Sequence, residues 1–252
     1  MRGPSRPSAF PTPSCSARGY PEFGNPNGEG VEGLPALQDY PAGVRLFAQG
    51  GASADAFYIA EGLVKLQRVQ DRGQEVIVGL RGTGWFLAAS AIVLERPHVV
   101  TAVTVTECIL SRIPAPQFRG LLRESRAFSW RILQMNSEEI HEQLVEAADR
   151  SSLPARERLE RFLTRLVPRD AMAGPNGRWR VPIPLRQWEI ADLIGVTPQY
   201  VCQLFHELER EKLAAWDGND VILAPRLAGM LDSQSGPGRS PRAVATRDRS
   251  DL

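Results

Sequence analysis

Forty residues, Leu185 to Ala224, constrain this chain more than any other stretch: LRQWEIADLIGVTPQYVCQLFHELEREKLAAWDGNDVILA. They predict a helix, a tight turn, a second helix and a short β-hairpin. Trp188, Ile190, Ala191, Leu193 and Ile194 are available for a buried face on the first helix. Gly195 follows its end, where a left-handed residue is cheap only for glycine. Thr197 can cap the next helix, and Pro198 falls at its first position, where the missing N–H costs nothing. Val201, Leu204, Phe205 and Leu208 recur at helical spacing and predict the buried face of that second helix. Its outer face carries Gln199, Tyr200, Gln203 and His206. Asp217-Gly218, between Ala214-Ala215-Trp216 and Val221-Ile222-Leu223, is a hairpin signal. Two helices and a wing in this order form a shape that inserts its second helix into the DNA major groove. The plainer reading is a small helical domain that binds nothing.

Charge does not favour indiscriminate DNA binding. The formal net charge of the 252 residues is +1, and residues 151–230 carry eleven Arg or Lys against ten Asp or Glu. Affinity for a duplex must therefore come from locally arranged charge. Cys15, Cys108 and Cys202 are far apart and form no metal-binding pair or cluster. No disulfide framework is implied, which suits a reducing cytoplasm. No apolar run reaches the length of a membrane span. Arg2 and Arg6 precede no apolar segment, so no secretory signal is expected.

Composition divides the rest. Residues 1–33 and 231–252 are rich in small and polar residues and predict disordered tails. Between 34 and 125 short apolar runs alternate with turns: Val44–Phe47, Ala56–Ala60, Leu63–Val69, Glu75–Leu80, Val99–Val105 and Cys108–Ile113. This spacing points to a β-sandwich or β-roll. A short helix is expected over Gln117–Leu122, then a long one over 126–150. In the long helix Leu133, Ser137, Ile140, Leu144 and Ala147 make a two-heptad seam, with Phe128, Ile132 and Met135 in an adjacent stripe. One stripe can pack on the chain's own β-roll and the other on a second copy of the helix. Ser152 is expected to cap a helix that Pro154 begins, containing Leu159, Phe162, Leu163 and Leu166.

In this order the chain resembles the bacterial cAMP receptor protein/FNR family of transcription regulators. The resemblance covers about 34–228. It rests on Ala56-Phe57-Tyr58-Ile59 with Glu61-Gly62-Leu63-Val64-Lys65, on Gly73-Gln74-Glu75, on Gly84-Trp85-Phe86-Leu87, on Thr101-Ala102, and on the segment from Glu189-Ile190-Ala191 to Leu208-Glu209. It implies an α+β chain: an N-terminal cyclic-nucleotide-binding-like β-roll (jelly roll), a long dimerisation helix, and a C-terminal winged helix-turn-helix. It implies a homodimer on near-palindromic double-stranded DNA, with recognition helices roughly 34 Å apart, and RNA polymerase as a further partner.

The chain departs from the family at its effector site. Cyclic-nucleotide binders hold the ribose with a Gly-Glu pair and the phosphate with an Arg-Ser-Ala run. The matching positions here are Ala88-Ala89 and Val100-Thr101-Ala102, near Trp85. An anionic phosphate facing Val100 would lose its counter-charge. Neither cAMP nor cGMP is therefore expected to bind tightly, and the effector is unknown. The oxygen-sensing branch uses a cysteine cluster, which Cys15 alone does not supply. Haem would need His98 or Cys108; a solvated surface histidine and a small buried thiol are the expectations there, and no cofactor is expected.

Family members often place Glu, Ser and Arg where this chain has Gln199, Cys202 and Gln203. Arginine reads guanine, whereas glutamine prefers the N6/N7 edge of adenine, so an A·T-richer half-site is expected. Gln199, Tyr200 and Gln203 are candidates for base edges, although Tyr200 equally suits the sugar–phosphate backbone or packing on the turn. Arg186, Gln187 and Thr197 lie near helix N-termini, where phosphates are gripped. His206 can reach a phosphate or stay solvated; Lys212 and Asn219 are weaker wing-side candidates. An enzyme is disfavoured: the three histidines are far apart, and no nucleophile elbow, P-loop or Gly-rich dinucleotide turn occurs. A ligand-binding regulator with a vestigial DNA-binding domain is the remaining alternative.

Overall fold

The computed structural model describes residues 31–70, 73–167, 177–218 and 220–228. Expectations for Cys15, for Asn219 and for most of both tails lie outside the described residues. The N-terminal half is a sandwich of two antiparallel four-stranded sheets. One has the order β1-β8-β3-β6, from Leu37–Tyr40, Cys108–Pro114, Asp55–Glu61 and Phe86–Leu87. The other runs β2-β7-β4-β5, from Arg45–Phe47, Thr101–Thr104, Val64–Val69 and Glu75–Arg81. Strand burial alternates because successive side chains point to opposite faces. In β8, Cys108 and Leu110 are buried while Ile109 is only partly covered. Gly62 joins β3 to β4 at φ +108; a Cβ there would lie 2.6 Å from Cys108 Sγ and 2.7 Å from the Glu107 carbonyl. Only glycine lets these backbones approach so closely.

A short helix, α1 (Ala89–Leu94), crosses between β6 and β7. It was not legible in the sequence, and neither were the short strands β1 and β6. α2 (Ala115–Glu124) leads to Ser125, whose hydroxyl accepts from the Phe128 N–H at 3.2 Å and caps α3, Arg126–Ser152. The first third of α3 buries Phe128, Ile132 and Met135 in the β-roll core. There Phe86, Phe118 and Phe128 meet edge to face with centroids 5.3–6.4 Å apart, a favourable aromatic arrangement.

α3 runs two residues past the expected end. Ser152 does not cap the next helix: its hydroxyl donates back to the Ala148 carbonyl at 2.8 Å, and Ser151 does the same. Serine hydroxyls satisfy late carbonyls of their own helix this way. The chain turns at Leu153-Pro154 into α4 (Ala155–Arg165), whose N-cap position is Pro154.

The C-terminal unit then follows: β9 (Trp179–Pro182), α5 (Gln187–Ile194), α6 (Pro198–Arg210), β10 (Ala214–Asp217), β11 (Asp220–Leu223) and the single turn α7 (Pro225–Ala228). The wing has three strands, β10-β11-β9, one more than the hairpin expected from sequence. Gly195 ends α5 at φ 69, and Thr197 Oγ caps α6 by accepting from the Tyr200 N–H at 3.3 Å. Val201, Leu204, Phe205 and Leu208 are all buried, as their spacing predicts. Trp188 is not: it is 37% exposed. Its ring lies 5.8 Å from Lys65 Nζ of β4. Ile190, Ala191 and Ile194 alone suffice for the buried stripe of so short a helix.

The two halves touch. Leu63 and Leu80 of the β-roll belong to the same buried cluster as Ile190, Leu204 and Phe205 of the C-terminal unit.

Candidate nucleic-acid interface

α6 has two opposed stripes. Four apolar side chains face the core, and Gln199, Gln203 and His206 line the other side at four- and three-residue spacing, all exposed. Tyr200 stands beside them, 43% exposed. Among the described residues the side chains of Gln199 and Gln203 make no hydrogen bond within the chain, so both amides are available to a partner. His206 is turned by its own helix: its Nδ1–H donates to the Cys202 carbonyl at 2.7 Å, which leaves Nε2 outward. The Thr197 hydroxyl is engaged as the cap, so what it offers a phosphate is the positive end of α6. Arg186 and Gln187 are exposed at the start of α5, and Glu189 Oε2 accepts from the Arg186 N–H at 2.8 Å. The structure thus brings these seven residues onto the two helix N-termini and the outer stripe of one motif.

Much of the acid is neutralised internally. Glu189 pairs with Lys65 at 2.5 Å. Arg180 of β9 binds both wing carboxylates, Asp217 and Asp220. Arg156 joins Glu160 and Glu211, and the Arg156 contact holds the Glu211 carboxyl below its usual range. Arg178, Arg186, Arg210, Lys212 and Arg226 remain exposed and outside any ion pair among the described residues. Glu157, Glu207 and Glu209 are likewise outside any ion pair among the described residues, so what charge offers a duplex depends on where these side chains stand and not on their sum.

Of the proposed effector residues, Thr101 borders an open hollow with Arg45, Gln49, Gln67 and Glu75. Trp85 (1% exposed), Ala89 and Ala102 are closed into the β-roll core. Ala88 takes φ 65 at the start of α1. Thr101 Oγ accepts from the Gln49 N–H at 3.0 Å, and Val100 is partly exposed. The Arg81 guanidinium lies 4.6 Å over the Trp85 ring and pairs with Glu139 of α3 at 2.5 Å. A cavity of about 120 Å³ opens elsewhere, where β5, α3, α4 and α5 meet; Leu80, Arg81, Glu142, Arg161, Phe162 and Leu193 contribute to its walls. Sequence spacing gave no sign of it, because its residues come from four elements.

His98 corrects an expectation. It is not solvated but 5% exposed, stacked on Phe47 at 4.1 Å. Its backbone is pinned on both sides, to Gly51 and Gly50, so the loop is drawn inward. Burial holds its pKa below the usual value, partly offset by a hydrogen bond that the ring donates to the Ala52 backbone carbonyl. Cys108 is buried as expected, and burial raises its thiol pKa.

On α3, Leu133 (55%), Ile140 (60%) and Leu144 (66%) are exposed, as are Ser137 and Ala147. Trp130, 60% exposed, extends this seam by one step and was missed in the sequence reading; its three-residue spacing before Leu133 was the available signal. Contiguous exposed apolar side chains are where interaction surfaces are commonly found.

Comparison with known proteins bears on both halves. Residues 37–125 match the model of the cyclic nucleotide-binding domain, and residues 157–232 that of the Crp-like helix-turn-helix domain. The chain is 26% identical over 212 residues to the probable transcriptional regulator flp of Lacticaseibacillus casei, covering 82% of this chain and 93% of that one. Its fold is similar to that of the c-di-GMP-responsive global regulator CLP of Xanthomonas campestris (TM-score 0.60, 23% identity, 75% of this chain and 93% of the other). It is also similar to FixK2 from Bradyrhizobium japonicum (TM-score 0.66, 14% identity, 78% and 96%).

Proposed function

We propose that this chain, which belongs to the Crp/Fnr family of transcription regulators, reads a near-palindromic double-stranded DNA site as a homodimer in the cytoplasm. The observation that carries this reading is the outer stripe of α6: Gln199, Gln203 and His206 exposed along one line, opposite a wholly buried apolar line. In the major groove the two glutamines would meet adenine edges, with Tyr200 on a base edge or the backbone. Arg186, Gln187 and the N-terminus of α6 would hold phosphates. Leu133, Ser137, Ile140, Leu144 and Ala147, with Trp130, would join two copies. RNA polymerase would be met from the DNA-bound dimer.

The test is selection of random duplexes by the purified protein. The expected result is an enriched inverted repeat with half-sites one helical turn apart and A·T pairs at the positions facing Gln199 and Gln203. A selected pool with no inverted repeat would contradict the reading and favour a regulator whose DNA-binding domain is vestigial.

The effector is not cAMP in this proposal. Ala88 and Ala89 offer no carboxylate to a ribose, and Val100 no cation to a phosphate; burying an unpaired anion there costs several kcal/mol, order of magnitude. Calorimetric titration with cAMP should give no heat of binding in the micromolar range, and micromolar binding would overturn this assignment.

A further inference from the structure

One side chain links the sensor sheet to the reading head. Glu189 is 4% exposed, and both its oxygens are engaged. Oε2 accepts from the Arg186 N–H at 2.8 Å, closing the N-terminus of α5. Oε1 takes Lys65 Nζ of β4 at 2.5 Å, with Lys65 itself largely covered. One turn on, Asp192 Oδ2 accepts from the Ile77 N–H at 3.2 Å. Ile77 lies on β5, the edge strand of its sheet, so Asp192 covers an outward N–H that would otherwise need water. Trp188 lies against Lys65 on the same side of α5. Leu63 and Leu80 continue the contact as apolar packing. In the same sheet β4 pairs with β7: Gln67 opposite Thr101, Leu66 opposite Ala102, Lys65 opposite Val103.

We propose that Glu189 is a positioning residue: held by Lys65 on one oxygen and capping Arg186 with the other, it fixes the angle of the DNA-reading head against the sheet that carries Thr101 and Ala102. The outer stripe of α6 is uncovered in this arrangement, so the contact sets orientation without hiding the reading surface. Two heads held at fixed angles meet both half-sites without a further ordering cost; two loose heads must each be ordered on binding. A displacement of β7 passes along the β7–β4 ladder to Lys65 and from there to the backbone beside Arg186.

The inference rests on the DNA-binding reading above, and its test separates the two. Lys65→Met leaves the cap on α5 intact and removes only the partner across the junction, stranding a covered carboxylate. Affinity of the full chain for its selected inverted repeat should fall about tenfold, within the range usual for coupled sites. Affinity for a duplex with a single half-site should not change. Hydrogen exchange at the Ile77 amide should accelerate. Glu189→Gln, which retains a capping oxygen, should reproduce the pattern and serves if Lys65→Met does not fold. Equal losses on both duplexes would mean a merely structural contact and overturn the proposal, as would unchanged or tighter binding to the inverted repeat. Failure of the unsubstituted protein to bind either duplex would instead refute the DNA-binding reading.

Discussion

Ile140→Asp combined with Leu144→Asp is expected to leave the chain as a single copy and to weaken binding to an inverted repeat by about 10²- to 10⁴-fold, the usual gain from linking two binding modules. In one copy Ile140 and Leu144 are 60% and 66% exposed, and neither joins the buried clusters of the β-roll or the reading head. Burying such a side chain fully is worth about 1.5–3 kcal/mol, and two pairs would be lost from a symmetric seam. A carboxylate in each place adds like-charge repulsion across the two-fold. The fold of the single chain should persist, because Phe128, Ile132 and Met135 still anchor α3 from its other face. Sedimentation velocity reads the assembly and circular dichroism the fold. A doubly substituted chain that still pairs would show that α3 is not the seam.

Gln203→Ala should cost about 1–3 kcal/mol of discrimination at one base pair of each half-site, the range for a good bidentate contact. The site offers little else to lose: Gln203 is exposed and its side chain makes no hydrogen bond within the chain among the described residues. Thermal stability should therefore hold while sequence preference relaxes at that position. Gln203→Arg should move the preference there towards guanine. Competition between duplexes differing at single positions measures both. If Gln203→Ala weakens binding to every duplex alike, the residue contacts backbone and not a base.

The helix-turn-helix was legible in the sequence because every local signal agreed: Gly195 for the left-handed turn, Thr197 for the cap, Pro198 at the first position, and a buried stripe from Val201 to Leu208. Such agreement across levels is what makes a sequence specify one structure. Where signals were local but ambiguous, reading failed. Ser152 looked like a cap and bonded backwards into α3 instead. β1, β6 and β9 span four, two and four residues, too few for periodicity to register. Trp188 and His98 were misjudged for a different reason. Trp188 lies against Lys65, 123 positions earlier in the chain, and His98 stacks on Phe47, which no spacing rule connects to it. The Lys65–Glu189 contact and the cavity between α3, α4, α5 and β5 were invisible for the same cause: they exist only once the two halves meet.

The stoichiometry on DNA tests the central claim most directly. Sedimentation of a labelled inverted-repeat duplex, taken from the selected pool and titrated with the purified chain, should show one complex containing two chains per duplex. Half-saturation should yield free duplex and that same complex, with no one-chain species between them. A complex that saturates at one chain per duplex would contradict paired reading heads joined along α3.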